Sequence, residues 1–408
     1  MRTALGRLGV VFLLVGCSSS SALPGGPTTS DAGGGPALSV SMSLSVPSGK
    51  ELHQCQFVTL PNDTDIEAVA LSHHYSAGSH HFLVYLTDLA EIPSDLRGQY
   101  DCVNGDEPVM QHTRGIIYGA QSREGGSKLP QGVGLRFKAK QVLMLQAHYL
   151  NSSKDPIEAT VSLDLSTAPK EQIETEASFF LFYDPFIYVP AQGTASSGIR
   201  CEAPANISVM SSFTHYHQRG KSMKVWLDPS MAAPTSEGPF HETDDWEHPE
   251  DFTGPKPIPA GSVFRIQCDY ANPDTTDVFQ GPNAATSEMC VYAGIYYPKL
   301  DADFEQCQNL SVDGSGTDTC MSQVSCVQQC PASEAPKFTP GGVLVGPCWE
   351  KCVAKGCTGG TDRLLPFITC VSNKCSEACA GGGTECDTCA VSQCASEFSA
   401  CATHQCSK

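Results

Sequence analysis

Positive charge is scarce in this sequence. Its 25 Lys and Arg stand against 44 Asp and Glu, a formal net charge of −19, which excludes a nucleic-acid partner whose phosphates would repel it. Charge of either sign is sparse at 17%, while 40% of residues are apolar. A sizeable core can therefore form beneath a mostly neutral, polar surface. Segments with a sustained 3.6-residue period are absent between about residues 38 and 310, which argues against a helical architecture there. Cysteine, by contrast, is abundant. Its 21 copies in 408 residues point to an oxidising compartment, and the length suggests two or three domains.

The N-terminus agrees with export. "MRTALGRLGVVFLLVGC" carries Arg2 and Arg7, then an apolar run from Val10 to Val15 that is too short to span a bilayer, then Gly16-Cys17. Leu14-Val15-Gly16-Cys17 resembles the bacterial lipobox. The resemblance implies cleavage before Cys17 and lipidation of that cysteine, hence membrane attachment through a lipid anchor. Ser18 in the next position implies sorting to the bacterial outer membrane. Removing Cys17 leaves twenty cysteines, an even number that can all pair.

Composition divides the remainder. Residues 18–37 are Ser-, Gly- and Pro-rich and read as a flexible tether. From 38 to 310 the pattern is strand-like: "VSLDLS" alternates Val161, Leu163 and Leu165 with polar residues, and "VFRIQCDY" alternates Phe264, Ile266 and Cys268. Turn clusters such as "PSGK", "PNDTD", "REGGSK" and "ANPDTTD" separate these runs. The expected fold class is mainly β, with two tandem antiparallel, jelly-roll-like β-sandwiches over 38–170 and 171–310. A small, disulfide-rich, partly helical module follows over 311–408. Residues 320–408 hold fourteen cysteines, and the pairs Cys326/Cys330, Cys348/Cys352 and Cys375/Cys379 are four apart. That spacing places both thiols on one helix face, as in helical hairpins stapled by disulfides. "CDTC" at 386–389 has zinc or redox spacing, but outside the cytosol it reads as part of the disulfide framework.

Four short stretches carry the chemistry: "SHHFLVYL" with His80 and His81, "LMLQAHYL" with His148, "FTHYHQRG" with His215 and His217, and "ATSEMCVYAGIYYP" with Met289. Two histidines at i and i+2 of a strand share one face, so His215 and His217 can converge on one point. An isolated His-x-His is otherwise ordinary surface polarity. Imidazole suits copper and zinc, and a thioether favours Cu(I), so a methionine completing a two-His site points to copper. Adjacent residues of a regular strand face opposite ways. His80 and His81 therefore require a bulge to reach one metal, and Gly78 makes one cheap. A second pair, His73-His74, reads as surface polarity, with a decoy or an accessory metal site as the alternatives.

Together the four stretches resemble the copper type II, ascorbate-dependent monooxygenases, the family of dopamine β-hydroxylase and peptidylglycine α-hydroxylating monooxygenase. The resemblance covers about residues 45 to 310. It implies two coppers per chain: one held by His80, His81 and His148, with Gln146 and Tyr149 in place, for electron transfer; another held by His215, His217 and Met289, where O2 is activated. Ascorbate or an equivalent reductant would recharge both, and a C–H bond of a small organic substrate would be hydroxylated. The family pattern further implies the disulfides Cys55–Cys102, Cys201–Cys307 and Cys268–Cys290. A family cysteine expected near Leu86 and Thr87 is missing. Neutral imidazole is the ligand form, so activity is expected to fall as histidines protonate below about pH 6.

Substrate is less legible. The family's peptide-amidating branch grips a carboxylate at positions that here hold Phe213, Val291 and Ala293. None of these offers a charge-assisted bond, so peptide amidation is not expected. Tyr296-Tyr297-Pro298 looks more like the dopamine β-hydroxylase branch. The acidic stretch at 241–252 reads as a solvated insertion, with attraction of a cationic amine as the alternative. A non-catalytic copper-binding surface lipoprotein is the competing reading of the whole chain, and the cysteine-rich tail is a candidate docking element for a surface partner.

Overall fold

The strand Leu38–Val46 (β1) shows how pattern becomes structure. Val40, Met42, Leu44 and Val46 are buried, while the serines between them face solvent, the two-residue alternation of a sheet covered on one face. The computed structural model describes residues 38–102, 112–247, 249–281, 283–307, 311–312, 316–335, 337–339, 342–379 and 383–406. The expected lipidated Cys17, its signal peptide and the tether lie outside the described residues. Nine further strands complete the first half: β2 (Glu51–Thr59), β3 (Ile66–Tyr75), β4 (Ser79–Thr87), β5 (Gln99–Asp101), β6 (Thr113–Ala120), β7 (Glu124–Lys128), β8 (Val133–Phe137), β9 (Val142–Leu150) and β10 (Ile157–Ala168). The second half contributes β11 (Thr175–Tyr183), β12 (Tyr188–Val189), β13 (Thr194–Glu202), β14 (Ile207–Tyr216), β15 (Gly220–Asp228), β16 (His241–Thr243), β17 (Phe252–Ile258), β18 (Val263–Ala271), β19 (Val278–Phe279), β20 (Cys290–Tyr297) and β21 (Ser311–Val312).

Two sandwiches form, as the alternation predicts, and they share a sheet. One nine-stranded sheet runs β1-β10-β3-β8-β11-β20-β14-β17, with β7 on β3. The seam is the parallel pairing of β8 with β11, Val133 opposite Thr175 and Leu135 opposite Ala177. The sheet β5-β2-β9-β4-β6 closes the first sandwich and β16-β15-β18-β13-β21 closes the second. The first core draws Ala177, Phe179, Met210 and Ile295 from the second half. Residues Gly35–Lys408 consequently form one compact unit, across the expected boundary at 170/171. "REGGSK" is not a separating turn: Glu124–Lys128 pairs with β3 as an edge strand. Its glycine at 126 lies against the Leu71 carbonyl so closely that a Cβ would collide with it.

All twenty cysteines after Cys17 are paired. Cys55–Cys102, Cys201–Cys307 and Cys268–Cys290 join the β-sandwiches internally, as the family pattern implies. In the tail, Cys326–Cys352 and Cys330–Cys348 staple the helices Cys320–Val327 and Pro347–Ala354 face to face. Cys386 and Cys389 bond to Cys379 and Cys375 rather than to each other, so "CDTC" is structural. The tail is not a separate bead. Val353, Leu364, Phe367 and Cys401 belong to the same continuous core as Phe182, Ile199 and Phe264 of the second sandwich. Arg200–Asp362 and Lys351–Asp277 ion pairs flank that junction. No helix among the described residues is long and apolar enough to cross a membrane.

Candidate metal centre

On β4, β9 and β2 the sequence places histidines that the sheet brings into one row. His81 is registered opposite His148, and His148 opposite His53. Leu143, Leu145 and Ala147 of β9 fill the sandwich core, so His148, one residue out of phase with them, points to the sheet's other face. The three imidazoles are 4, 7 and 3% exposed for His53, His81 and His148. Their nearest ligand atoms all lie within 4.8 Å of one another. The His53 and His148 rings stack at 3.7 Å between centroids, and His81 meets His148 at 5.0 Å. Glu51, on the same face of β2 as His53, accepts from His148 Nε2 at 2.7 Å and lies 3.5 Å from His53 Nε2. Burial holds the His53 ring below the usual histidine range against the pull of Glu51. A neutral, lone-pair-bearing imidazole results, the form that binds a metal.

The expected bulge is present. The β4–β9 register breaks between Ser79 and His81, with His80 as the inserted residue, and Gly78 adopts φ +94° just before it. The His80 side chain lies outside the described residues. The structure therefore brings together His81 and His148 of the expected set and adds His53, which sequence reading missed. A single histidine in "ELHQCQFV" carries no metal signal until the strand register is known.

His215 and His217 lie at the end of β14. Tyr216 pairs with Cys290, so the next residues, His217 and Met289, fall at the adjoining ends of β14 and β20. His215 Nδ1 donates to Gln121 Oε1 at 2.8 Å and His217 Nδ1 donates to the Ser287 carbonyl at 2.9 Å. Both bonds fix the tautomer with the lone pair on Nε2. Glu288, fully buried, accepts from the backbone N–H groups of His217 and Arg219. Burial pushes its carboxyl up to about 7, and those same bonds pull it back. Tyr270 donates its hydroxyl to the Met289 carbonyl at 2.9 Å, pinning the backbone that carries the thioether.

The two clusters meet. His81 and His215 ring centroids are 5.4 Å apart, edge to face, and His215 and His217 stand 5.1 Å apart. A continuous line of five imidazoles thus runs from β2 of the first sandwich to β14 of the second. The donor set suits copper, with imidazoles throughout and one thioether at the second cluster's end. The three positions where the peptide-amidating branch grips a carboxylate sit beside it: Phe213 pairs with Ala293, and His215 with Val291. They offer apolar walls and no cation.

Two sequence readings need correction. His73 is buried rather than surface-exposed, its ring engaged by the Tyr118 hydroxyl at 2.7 Å and the Ser122 carbonyl at 2.8 Å. It lines a cavity of about 80 Å³ with Tyr118, Ser211, Phe213 and Asp251. Only His74 behaves as expected, half-exposed beside Glu124. The acidic stretch is not wholly solvated either. His241–Thr243 forms edge strand β16, with His241 buried and bonded to the Glu250 carbonyl at 2.8 Å. The β-period there is hidden by the acidic residues that alternate with the buried ones.

Among curated proteins none matches the chain. Residues 181–315 match the family model of the copper type II ascorbate-dependent monooxygenase C-terminal domain. The matched stretch is about a third of the chain and excludes β1–β10. It contains His215, His217 and Met289, and with them the second half of the imidazole line. Over residues 181–315 the chain is thus similar to the copper type II ascorbate-dependent monooxygenase C-terminal domain.

Proposed function

We propose that the protein is a copper-dependent monooxygenase that hydroxylates a C–H bond of a small organic substrate with O2 and an ascorbate-type reductant. The observation that carries this reading is the ring contact of His81 with His215, which joins a histidine cluster on the first sandwich to the one in the matched domain. Copper held by His215, His217 and Met289 would supply O2 activation, and copper at the His80, His81 and His148 side would supply the second electron. The chain's own residues prepare both places. Gln121 and the Ser287 carbonyl hold the His215 and His217 rings in the Nε2 tautomer. Burial keeps water from the His53, His81 and His148 rings.

The neutral walls at Phe213, Val291 and Ala293 favour a substrate without a terminal carboxylate at that point. Lipidation at Cys17 would attach the enzyme to the outer membrane, the ten disulfides suiting an oxidising site of action. A copper-binding surface lipoprotein without turnover is the alternative, and Met289 separates the two. Met289→Ile is expected to abolish substrate-stimulated O2 uptake while the copper of the first cluster remains bound. Full turnover by that variant would contradict the assignment.

A further inference from the structure

We infer that His53 is a further metal ligand, joining His81 and His148 in a copper site that spans three strands and for which Glu51 is the orienting carboxylate. The inference rests on the copper reading above and adds His53 to the side chains of its first site. Four observations carry it.

The first is register. His53, His148 and His81 are consecutive cross-strand neighbours on β2, β9 and β4, so the sheet, in the register that follows the β4 bulge, lines up three rings on one face. The second is distance. Nitrogens about 2 Å from a common metal stand about 3.3 Å apart in a tetrahedral arrangement, and the ligand atoms here already fall within 4.8 Å of one another.

The third is contrast with two other buried histidines, His73 and His241. His73 and His241 each have both ring nitrogens engaged by protein groups, the Tyr118 hydroxyl and Ser122 carbonyl for one, the Ser212 hydroxyl and Glu250 carbonyl for the other. His53 Nε2, on a ring 4% exposed, has among the described residues only Glu51 Oε1 near it, at 3.5 Å, longer than an ordinary hydrogen bond. Burying a polar nitrogen in that state is costly unless something else binds it. The fourth is Glu51. A carboxylate at 2.7 Å from His148 Nε2 selects the tautomer with its lone pair on Nδ1 and raises the ring's basicity, the arrangement that supports metal-bound histidines.

Copper binding by the full chain tests this. Cu(II) is titrated into wild type, His53→Phe, His53→Gln and His80→Phe, reading bound copper per chain, the Cu(II) paramagnetic resonance spectrum, and the melting temperature without metal. Phenylalanine preserves the stack on His148, and glutamine keeps a polar side chain at position 53, so one variant can stand in if the other fails to fold. The expected result is at least a tenfold weaker first site in both His53 variants, with an altered nitrogen hyperfine pattern and the metal-free melting temperature near wild type. Wild-type stoichiometry and spectrum in a folded His53 variant would overturn the inference. So would loss of that site in His80→Phe with none in either His53 variant. Failure of wild type itself to bind copper would instead overturn the functional reading on which the inference rests.

Discussion

Gln121, just after β6 of the first sandwich, grips β14 of the second through a single side chain. Its Oε1 accepts from His215 Nδ1 at 2.8 Å and its Nε2 donates to the Thr214 carbonyl at 3.2 Å. Replacing it with leucine removes the acceptor that fixes the His215 tautomer. We expect Gln121→Leu to weaken copper at the second cluster by ten- to a hundredfold, the usual effect of losing such a partner, measured by competition with a chelator. Unchanged affinity would show that the ring is oriented by packing alone. Nothing in "GAQSREGG" marks Gln121, because its partner lies 94 residues away. The histidines themselves were legible, since residue type and i, i+2 spacing already encode a shared face. Their companions on other strands were not, because cross-strand register is a property of the folded sheet.

At the scale of the element, the bulge in β4 is the informative feature. It was legible because two adjacent histidines aimed at one point contradict a regular strand. Gly78 tests it. At φ +94° a side chain is strained, and a Cβ there would press on Ile157 Cδ1 at 3.1 Å. Gly78→Ala is expected to cost about 1–2 kcal/mol of stability and to weaken metal binding at the first cluster. Denaturant melts and copper titration read the two effects, and a variant as stable as wild type would contradict the strain. Elsewhere, element-level reading failed where polar residues conceal a strand. Glu124–Lys128 looked like a turn because its glycines serve a close backbone approach to β3. His241–Thr243 looked solvated because its buried positions are a histidine and a threonine.

At the scale of the whole molecule, composition announced a separate cysteine-rich tail, whereas the fold merges it with the second sandwich. Glu350 on the tail helix Pro347–Ala354 accepts the backbone N–H of Gln280 at 2.6 Å inside that junction. Burial pushes its carboxyl from 4.5 up to about 8, with the Gln280 bond opposing. A raised folded-state value means the ionised form costs the native state, so stability is lost as pH rises from about 4.5 through about 8. Glu350→Gln keeps an acceptor for Gln280 and removes the charge. Its Tm should match wild type near pH 4 and exceed it at pH 8 by an amount worth a few kcal/mol at most, given about 1.4 kcal/mol per tenfold change in proton affinity. A pH-independent difference would contradict the buried charge. Ending the chain after Cys307 removes Val353, Leu364 and Phe367 from the shared core. At roughly 1.5–3 kcal/mol per fully buried side chain, Tm should fall on the order of 10 °C, and an unchanged Tm would make the tail a loosely attached docking element.

The central claim is that one line of imidazoles, from His53 through His148, His81 and His215 to His217, serves two coppers in an oxygen-using enzyme. Copper stoichiometry of the purified, reconstituted chain, with ascorbate-dependent O2 uptake recorded alongside, tests it most directly. The account predicts two coppers per chain and uptake that rises when a small amine such as a phenethylamine, or another C–H substrate, is supplied. One copper or none, with no ascorbate-dependent uptake, would contradict it.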